Sequence, residues 1–521
     1  MKRFKRKGFS FERVIILSIL FIIQLIWFYI MVANIFELAP WFDIVLQIIA
    51  MIIILYLVMK DDSPAYRISW SIAIGLFPIF GTMMYILIGN KRPTTSMRSK
   101  IAKQESLHSH EYEGLPDVQS ALENKDERLS MLASYVTEYA KAPLYTNSQV
   151  DYFPNGESMM EPLLEDLRKA EKTIFIEFFI VEFGDMLDAI MDVLVKKVAE
   201  GVEVCFIYDD FGCITRLPND FDKTLEKLGI KAMKFNPVKP IVSMVYNTRD
   251  HRKFIIIDNE TAYTGGLNIA DEYINVVERF GYWKDNMIRI NGPAVWNLSN
   301  LFLNMWNAFK HTDDSYDIFY PEVSMSQERE MLESHADISE LGFVQPFGDS
   351  PLDREPIGEN VYREILNLAK DYVYIYTPYL VISYELQTAM TLAAKRGVKV
   401  YLMTPGIPDK KLVFRMTRSY YRPLIEAGVK IYEYTPGFLH AKTFVADDKV
   451  ATVGTINLDY RSLYLHFETS TLIYYHPVIK EIKQDFEESI SVSKRVSISD
   501  TRLGWFGKVI DSILRLIAPF V

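Results

Sequence analysis

Apolar and polar positions divide the chain into an apolar beginning and a long alternating remainder. Val14 to Ala33 is an uninterrupted run of 20 uncharged residues, about the length that crosses the hydrocarbon core of a bilayer. Ile44 to Met59 is a second apolar run, with Trp41 and Phe42 at its expected interface, and Ser69 to Gly89 is a third uncharged stretch, interrupted by Gly75, Pro78 and Gly81. Arg92 to Ala142 is charged and predicts one helix, Val118 to Ala140. Beyond it, strand-length apolar runs alternate with helical spacing, which predicts an α/β architecture. Thr173–Ile180 reads as a strand, Met186–Val198 as a helix and Glu203–Tyr208 as a strand opened by Gly201 and Val202; a helix closes over Leu225–Gly229 and Ile230 begins the next strand. The same order returns downstream. Tyr372–Tyr379 is a strand, Glu385–Lys395 a helix, and Lys399–Met403 a strand opened by Gly397 and Val398; a helix closes over Ile425–Gly428 before Val429.

A polar signature marks the end of each copy. His251 to Asn268 reads HRKFIIIDNETAYTGGLN and His440 to Asn457 reads HAKTFVADDKVATVGTIN, with His, Lys, Asp, Gly and Asn in the same register. The interval from the glycine before the strand to the histidine is 50 residues in the first copy and 43 in the second, so the first carries an insertion near Asn236–Asp250. This is the duplication of a domain-sized unit, since solenoid repeats have periods of about 20–50 residues.

Charge and flanks place the apolar beginning. The opening MKRFKRK would suit a signal peptide, but Val14–Ala33 exceeds the usual h-region and no small-x-small site follows it. An uncleaved span is expected. Lys2, Arg3, Lys5, Arg6, Lys7 and Arg13 hold the N-terminus in the cytoplasm, and Glu37–Asp43, without Lys or Arg, lies outside. Basic residues flank both ends of Ser69–Gly89, which favours a re-entrant or shallow segment with the remainder of the chain cytoplasmic. The expected division is a membrane anchor over 1–103, a connector over 104–145, the repeats over 146–312 and 346–500, a linker over 313–345, and a tail helix over 501–521. In that tail Trp505, Phe506, Ile510, Ile513 and Leu514 form a face suited to lie on a membrane. The net charge of −10 argues against a nucleic-acid binder with a broad basic surface, and Cys205 and Cys213 alone supply no disulfide framework. Nothing in the sequence excludes a homo-oligomer.

The repeated signature carries the chemistry. His and Lys two apart on a strand share one face, and a lysine there suits a cleft better than a core. Two such faces supply two imidazoles (His251, His440), two ammoniums (Lys253, Lys442) and two amides (Asn268, Asn457). Positive charge and amide donors match a phosphoryl transition state. One histidine can attack phosphorus while the other protonates the leaving alcohol, with no metal or cofactor required. Asp258 and Asp447 fall on the opposite strand face, where an organising salt bridge is expected. Each ring needs an orienting carboxylate: Glu468 is expected to serve His440, and Asp285 to serve His251.

This paired HxKxxxxD…GGxN/GTxN signature resembles the phospholipase D superfamily, from about Glu171 to Glu488. IEFFI at Ile176–Ile180, WKD at Trp283–Asp285, GPAVWNLSNLFLNMW at Gly292–Trp306, TPYL at Thr377–Leu380, NLDYRSLYLHFE at Asn457–Glu468 and the terminal LRLIAPF are similar to bacterial cardiolipin synthases. His466 departs from that pattern, where Asn usually precedes Phe-Glu, and the first apolar run is a second departure. The resemblance implies duplicated α/β/α sandwich domains sharing one active site behind an N-terminal membrane-spanning region. It also implies transfer of a phosphatidyl group between two phosphatidylglycerols through a phosphatidyl-histidine, without metal or nucleotide. Partners would be phosphatidylglycerol and membrane lipids, not nucleic acid. His251 is expected to attack and His440 to act as acid and then base, with the reverse assignment left open, and two other readings stay open: phospholipase D-type hydrolysis, and a catalytically silent membrane scaffold.

Overall fold

The structure, a computed structural model, describes residues 41–60, 62–89, 94–108, 114–238, 247–310, 312–313, 315–334 and 342–520, with isolated helical positions between 19 and 30. The expected span at Val14–Ala33 lies largely outside the described residues. Strands β1 (Gln149–Phe153), β2 (Thr173–Phe178), β3 (Glu203–Asp209), β4 (Lys231–Phe235), β5 (Arg249–Asp250), β6 (Lys253–Ile257), β7 (Thr261–Gly265), β8 (Tyr282–Lys284) and β9 (Met287–Asn291) come from the first half. The second half contributes β10 (Phe343–Asp349), β11 (Tyr372–Tyr376), β12 (Lys399–Pro405), β13 (Lys430–Tyr434), β14 (Gly437–Leu439), β15 (Thr443–Ala446), β16 (Val450–Gly454), β17 (His466–Tyr474) and β18 (Ser493–Arg495).

The duplication is explicit in strand order. The first sheet runs β1-β9-β7-β6-β2-β3-β4 and the second β10-β17-β16-β15-β11-β12-β13, with β18 added at its edge. In both, three parallel strands joined by helices continue into an antiparallel meander. Alternation along the strands assigns their two faces. Ile174, Ile176 and Phe178 face an outer core with the helix Asp185–Ala199, whereas Phe175, Ile207, Phe254 and Ile256 face a core shared between the halves. Val445, Val453, Phe467 and Ile473 of the second sheet enter that same core, with Phe302 and Trp306 of the helix Val295–Phe309. Each strand buried on both faces reads as an unbroken apolar run, as the sequence does at Thr173–Phe178.

Several stretches differ from expectation. The single helix over Val118–Ala140 is two, Pro116–Lys125 and Glu127–Tyr139, because Asp126 adopts extended backbone and its carboxylate caps the second by accepting from Leu129 N–H at 3.3 Å. These helices are no free connector, for Val118, Leu122, Leu132 and Val136 enter the core of the second half. Nor is the linker simply surface: it holds the helix Glu322–Glu333, whose buried Glu328 accepts from Thr146 N–H, and the start of β10.

The N-terminal helices also differ. Among the described residues no helix is long and apolar enough to cross a membrane. Ile44–Met59 falls in one helix, Trp41–Met59, whereas Ser69–Gly89 is split at Phe77 between Pro64–Leu76 and Pro78–Ile88. Gly81 allows that hairpin to close, since a Cβ there would overlap the backbone of Ala73 and Ile74. The C-terminal helix Trp505–Ile517 packs against this region: Ser69 Oγ donates to the Leu516 carbonyl at 2.6 Å, and Phe520 meets Trp70 edge-on at 4.9 Å. Leu514 is buried, while Trp505, Phe506, Ile510 and Ile513 remain exposed.

Candidate active site

The two histidines stand just before β6 and β15, Lys253 opening β6 and Lys442 directly preceding β15, at points where a short strand of one half pairs with the other half. β5 leads into His251 and pairs in parallel with β17 of the second half; the His251 N–H continues that ladder to the Phe467 carbonyl at 2.8 Å. β14 leads into His440 and pairs in parallel with β8 of the first half, and the His440 N–H donates to the Lys284 carbonyl at 2.7 Å. Each histidine is therefore stitched to the strand that presents the other half's carboxylate.

This geometry reverses the expected pairing. His251 Nδ1 lies 2.8 Å from one Glu468 carboxylate oxygen and 2.9 Å from the other, and His440 Nδ1 lies 2.6 Å from Asp285 Oδ2. Asp285 does not serve its own repeat's histidine, and neither does Glu468. The physical reason is register. Met287 faces Gly265 and Ser470 faces Gly454, so Asp285, in the gap before β9, and Glu468, on β17, each two residues earlier, are equivalent positions whose carboxylates reach the other half's histidine.

The residue after each of those glycines accommodates the carboxylate. Gly266 leaves space that any Cβ would take from Asp285, which also accepts from Asn286 N–H at 3.0 Å. At the matching position Thr455 donates its hydroxyl to Glu468, as does Ser462. Neither hydroxyl is identifiable from the repeated motif, because the first half has Gly266 at the one and Tyr273, whose hydroxyl accepts from Asn268, at the other.

The lysines are fully buried and turn back on their own histidines. Lys253 Nζ donates to the His251 carbonyl at 2.6 Å, and Lys442 Nζ to the His440 carbonyl. Burial lowers Lys253 to about 7 and Lys442 to about 8, with Glu468 and Asp285 both opposing the fall. Burial, then the charges of Lys253 and Lys442, hold His251 well below its usual range. Burial and Lys442 lower His440 to about 4 against the pull of Asp285. Burial raises Asp285, but Lys442 and His440 outweigh it and hold the carboxyl below its usual range. These mutual influences place both halves of the signature in one electrostatic site. With Nδ1–H given to a carboxylate, each neutral ring keeps a lone pair on Nε2.

Asp258 and Asp447 are elsewhere, and they form no salt bridge among the described residues. Each occupies the first left-handed position of a tight turn, with φ of 53° and 55°, followed by Asn259 and Asp448 in the same conformation. Asp258 accepts from the N–H groups of Glu171, Lys172 and Thr173 at 2.7–2.8 Å. Asp447 accepts from Lys370, Asp371 and Tyr372 at 2.7–2.9 Å. Asp and Asn tolerate such turns and satisfy neighbouring amides, so the third letter of the signature is architectural. Asn268 braces the wall, accepting from Ile180 N–H at 3.0 Å and donating to Tyr273 Oη at 2.7 Å. Asn457 is buried with its amide oxygen unpartnered among the described residues. Phe179 packs edge-on to His251 at 4.9 Å; Tyr273, Trp283 and Phe438 surround His440 at 5.5–5.8 Å between ring centres.

A family profile described as "Cardiolipin synthase, PLD-like domain" matches residues 163–306 and 362–490, and one described as "Phospholipase_D-nuclease N-terminal" matches 45–90. An uncharacterised protein of Streptococcus mutans is 44% identical over 90% of this chain and 99% of its own. A cardiolipin synthase of Geobacillus thermodenitrificans is 31% identical over 92% of this chain and 94% of its own, and cardiolipin synthase 2 of Bacillus anthracis is 30% identical over 89% and 88%. Among solved structures, a phosphatidylserine synthase of Haemophilus influenzae shares the fold at a TM-score of 0.54 and 15% identity, covering 71% of this chain and 93% of that one.

Proposed function

Because this chain belongs to the cardiolipin synthase family of phospholipase D-like proteins, we propose that it joins two phosphatidylglycerols into cardiolipin, releasing glycerol. The observation that carries this reading is the crossed pair of dyads, His251 with Glu468 and His440 with Asp285. Two neutral imidazoles with free Nε2 atoms, beside two buried ammoniums, suit an in-line displacement at an anionic phosphodiester.

The roles follow from how each carboxylate is used. Glu468 shares its charge among Thr455, Ser462 and His251, which leaves the resting ring neutral and able to attack while still offsetting the charge the ring gains on bonding to phosphorus. Asp285 makes one short bond to His440 and stands beside Lys442. His251 Nε2 therefore attacks phosphorus, and His440 gives a proton to the departing glycerol oxygen. The substrate phosphate offsets the lysine charges that depress His440, so its protonation accompanies binding. In the second step His440 takes the proton from the head-group hydroxyl of the second phosphatidylglycerol. That oxygen attacks phosphorus, the phosphorus–His251 bond breaks, and the dyads return to their starting state.

A membrane setting supports the reading. The family match at 45–90, the uncharged run at Val14–Ala33 and the exposed apolar side chains of Trp41–Met59 and Trp505–Ile517 favour an N-terminal anchor with the catalytic halves on the cytoplasmic side. Purified protein supplied with phosphatidylglycerol in mixed micelles is expected to form cardiolipin and free glycerol. Phosphatidic acid and glycerol without cardiolipin would instead mark a hydrolase.

A further inference from the structure

His466 stands where its ring meets the site yet has no use in the transfer chemistry. Its side chain is 90% buried, and among the described residues neither ring nitrogen has a hydrogen-bond partner. It lies between two groups that can ligate a metal: its Nδ1 is 3.7 Å from Glu468 Oε1, and its ring centre is 5.6 Å from that of His251. One ligand atom from each of His251, His466 and Glu468 fits within 4.8 Å of the others. A buried imidazole with two unmet nitrogens is costly unless something occupies them. Two imidazoles and one carboxylate with an open fourth position form the donor set that Zn²⁺ accepts in tetrahedral sites.

We infer that His251, His466 and Glu468 form an inhibitory site for Zn²⁺ or a similar borderline divalent cation. The metal takes the Nδ1 lone pair of His251 and a Glu468 oxygen while the ring's proton moves to Nε2, so Nε2 has no lone pair left to attack phosphorus and turnover is silenced until the metal is removed. The silencing, though not the binding, rests on the reading of His251 as nucleophile. Among the described residues His440 and Asp285 have no equivalent third ligand, and Trp283 and Tyr273 flank that ring. The inhibition is thus confined to one of two otherwise matching dyads.

The test uses the full-length chain without an affinity tag, stripped with a chelator, and Zn²⁺ itself as the probe. Titration against a chromophoric chelator is expected to give one high-affinity Zn²⁺ per chain, with at least tenfold weaker binding in His466→Asn. Co²⁺ substitution is expected to give the visible spectrum of a nitrogen-ligated tetrahedral centre in the unaltered chain, which needs no variant to fold. Turnover of the unaltered chain should fall with Zn²⁺ and return with excess chelator. Equal Zn²⁺ affinity in the two proteins, or an octahedral, oxygen-only Co²⁺ spectrum, overturns the site. Binding at that stoichiometry without loss of turnover overturns the inhibition. Absence of cardiolipin formation by the stripped protein speaks instead against the proposed transferase activity.

Discussion

Replacing Glu468 by Gln keeps the side chain's size and removes its charge, and the crossed geometry makes an unusual demand on the outcome. The residue lies 217 positions after the histidine it serves, in the other half of the duplication. In the folded site it receives hydrogen bonds from His251, Thr455 and Ser462. An amide can keep the hydroxyl contacts but cannot neutralise a ring that becomes cationic as it bonds to phosphorus. One preorganised charge-assisted contact in a dry site contributes about 3–4 kcal/mol to the transition state, so kcat should fall by roughly 10²–10³. Asp285→Asn should fall by a comparable factor, because it disables the proton donor at His440.

The two are separated by leaving group. A phosphatidyl ester of p-nitrophenol needs no proton to depart, so release of nitrophenol should be largely restored in Asp285→Asn and in His440→Ala. It should stay depressed in Glu468→Gln and His251→Ala. The assay is the burst and steady-state release of nitrophenol in mixed micelles. Were the carboxylates paired within their own halves, the rescue would appear in Glu468→Gln instead. That result would refute the crossed assignment.

Three further expectations are measurable. Gly266→Ala places a methyl group against Asp285, and should mimic Asp285→Asn in turnover and leaving-group rescue while remaining folded by circular dichroism. Asp447→Asn keeps an oxygen for part of the amide cluster at Lys370–Tyr372, so it should lower Tm, at about 1–3 kcal/mol of lost stability, yet keep turnover per folded molecule within about tenfold. His440 and His466 are each lowered to about 4 by burial first, so the unfolded chain binds more protons between about 6.5 and 4. Their stabilising contribution is complete above the unfolded value and is lost as pH falls through 4; His466→Asn should flatten the fall of urea midpoint over that window, and an unchanged slope would contradict the buried neutral state.

Much of the fold was legible because duplicated, doubly buried strands leave continuous apolar runs, and Thr173–Phe178 and Tyr372–Tyr376 fall inside the predicted strands. His251, Lys253, His440 and Lys442 were legible for a different reason: a repeated polar spacing has no packing explanation. The carboxylate partners were found but joined to the wrong rings, since sequence distance suggests service within a repeat while strand register directs Asp285 and Glu468 across the boundary. Asp258 and Asp447 were misassigned to salt bridges because a left-handed turn and three converging amides cannot be read from spacing. Thr455 and Ser462 were not singled out, because their hydroxyls matter only once Glu468 lies beside them. The break at Asp126 was hidden by helical spacing that continues on both sides of it.

The most direct test of the two-histidine transfer is to find the covalent intermediate. Asp285→Asn with the p-nitrophenyl substrate should form the phosphatidyl-enzyme while slowing its resolution, because His440 can no longer activate the second alcohol well. After rapid quenching and digestion at alkaline pH, mass spectrometry is expected to locate the phosphatidyl group on the peptide bearing His251. Label on the peptide bearing His440, or nitrophenol release with no label on either, would contradict it.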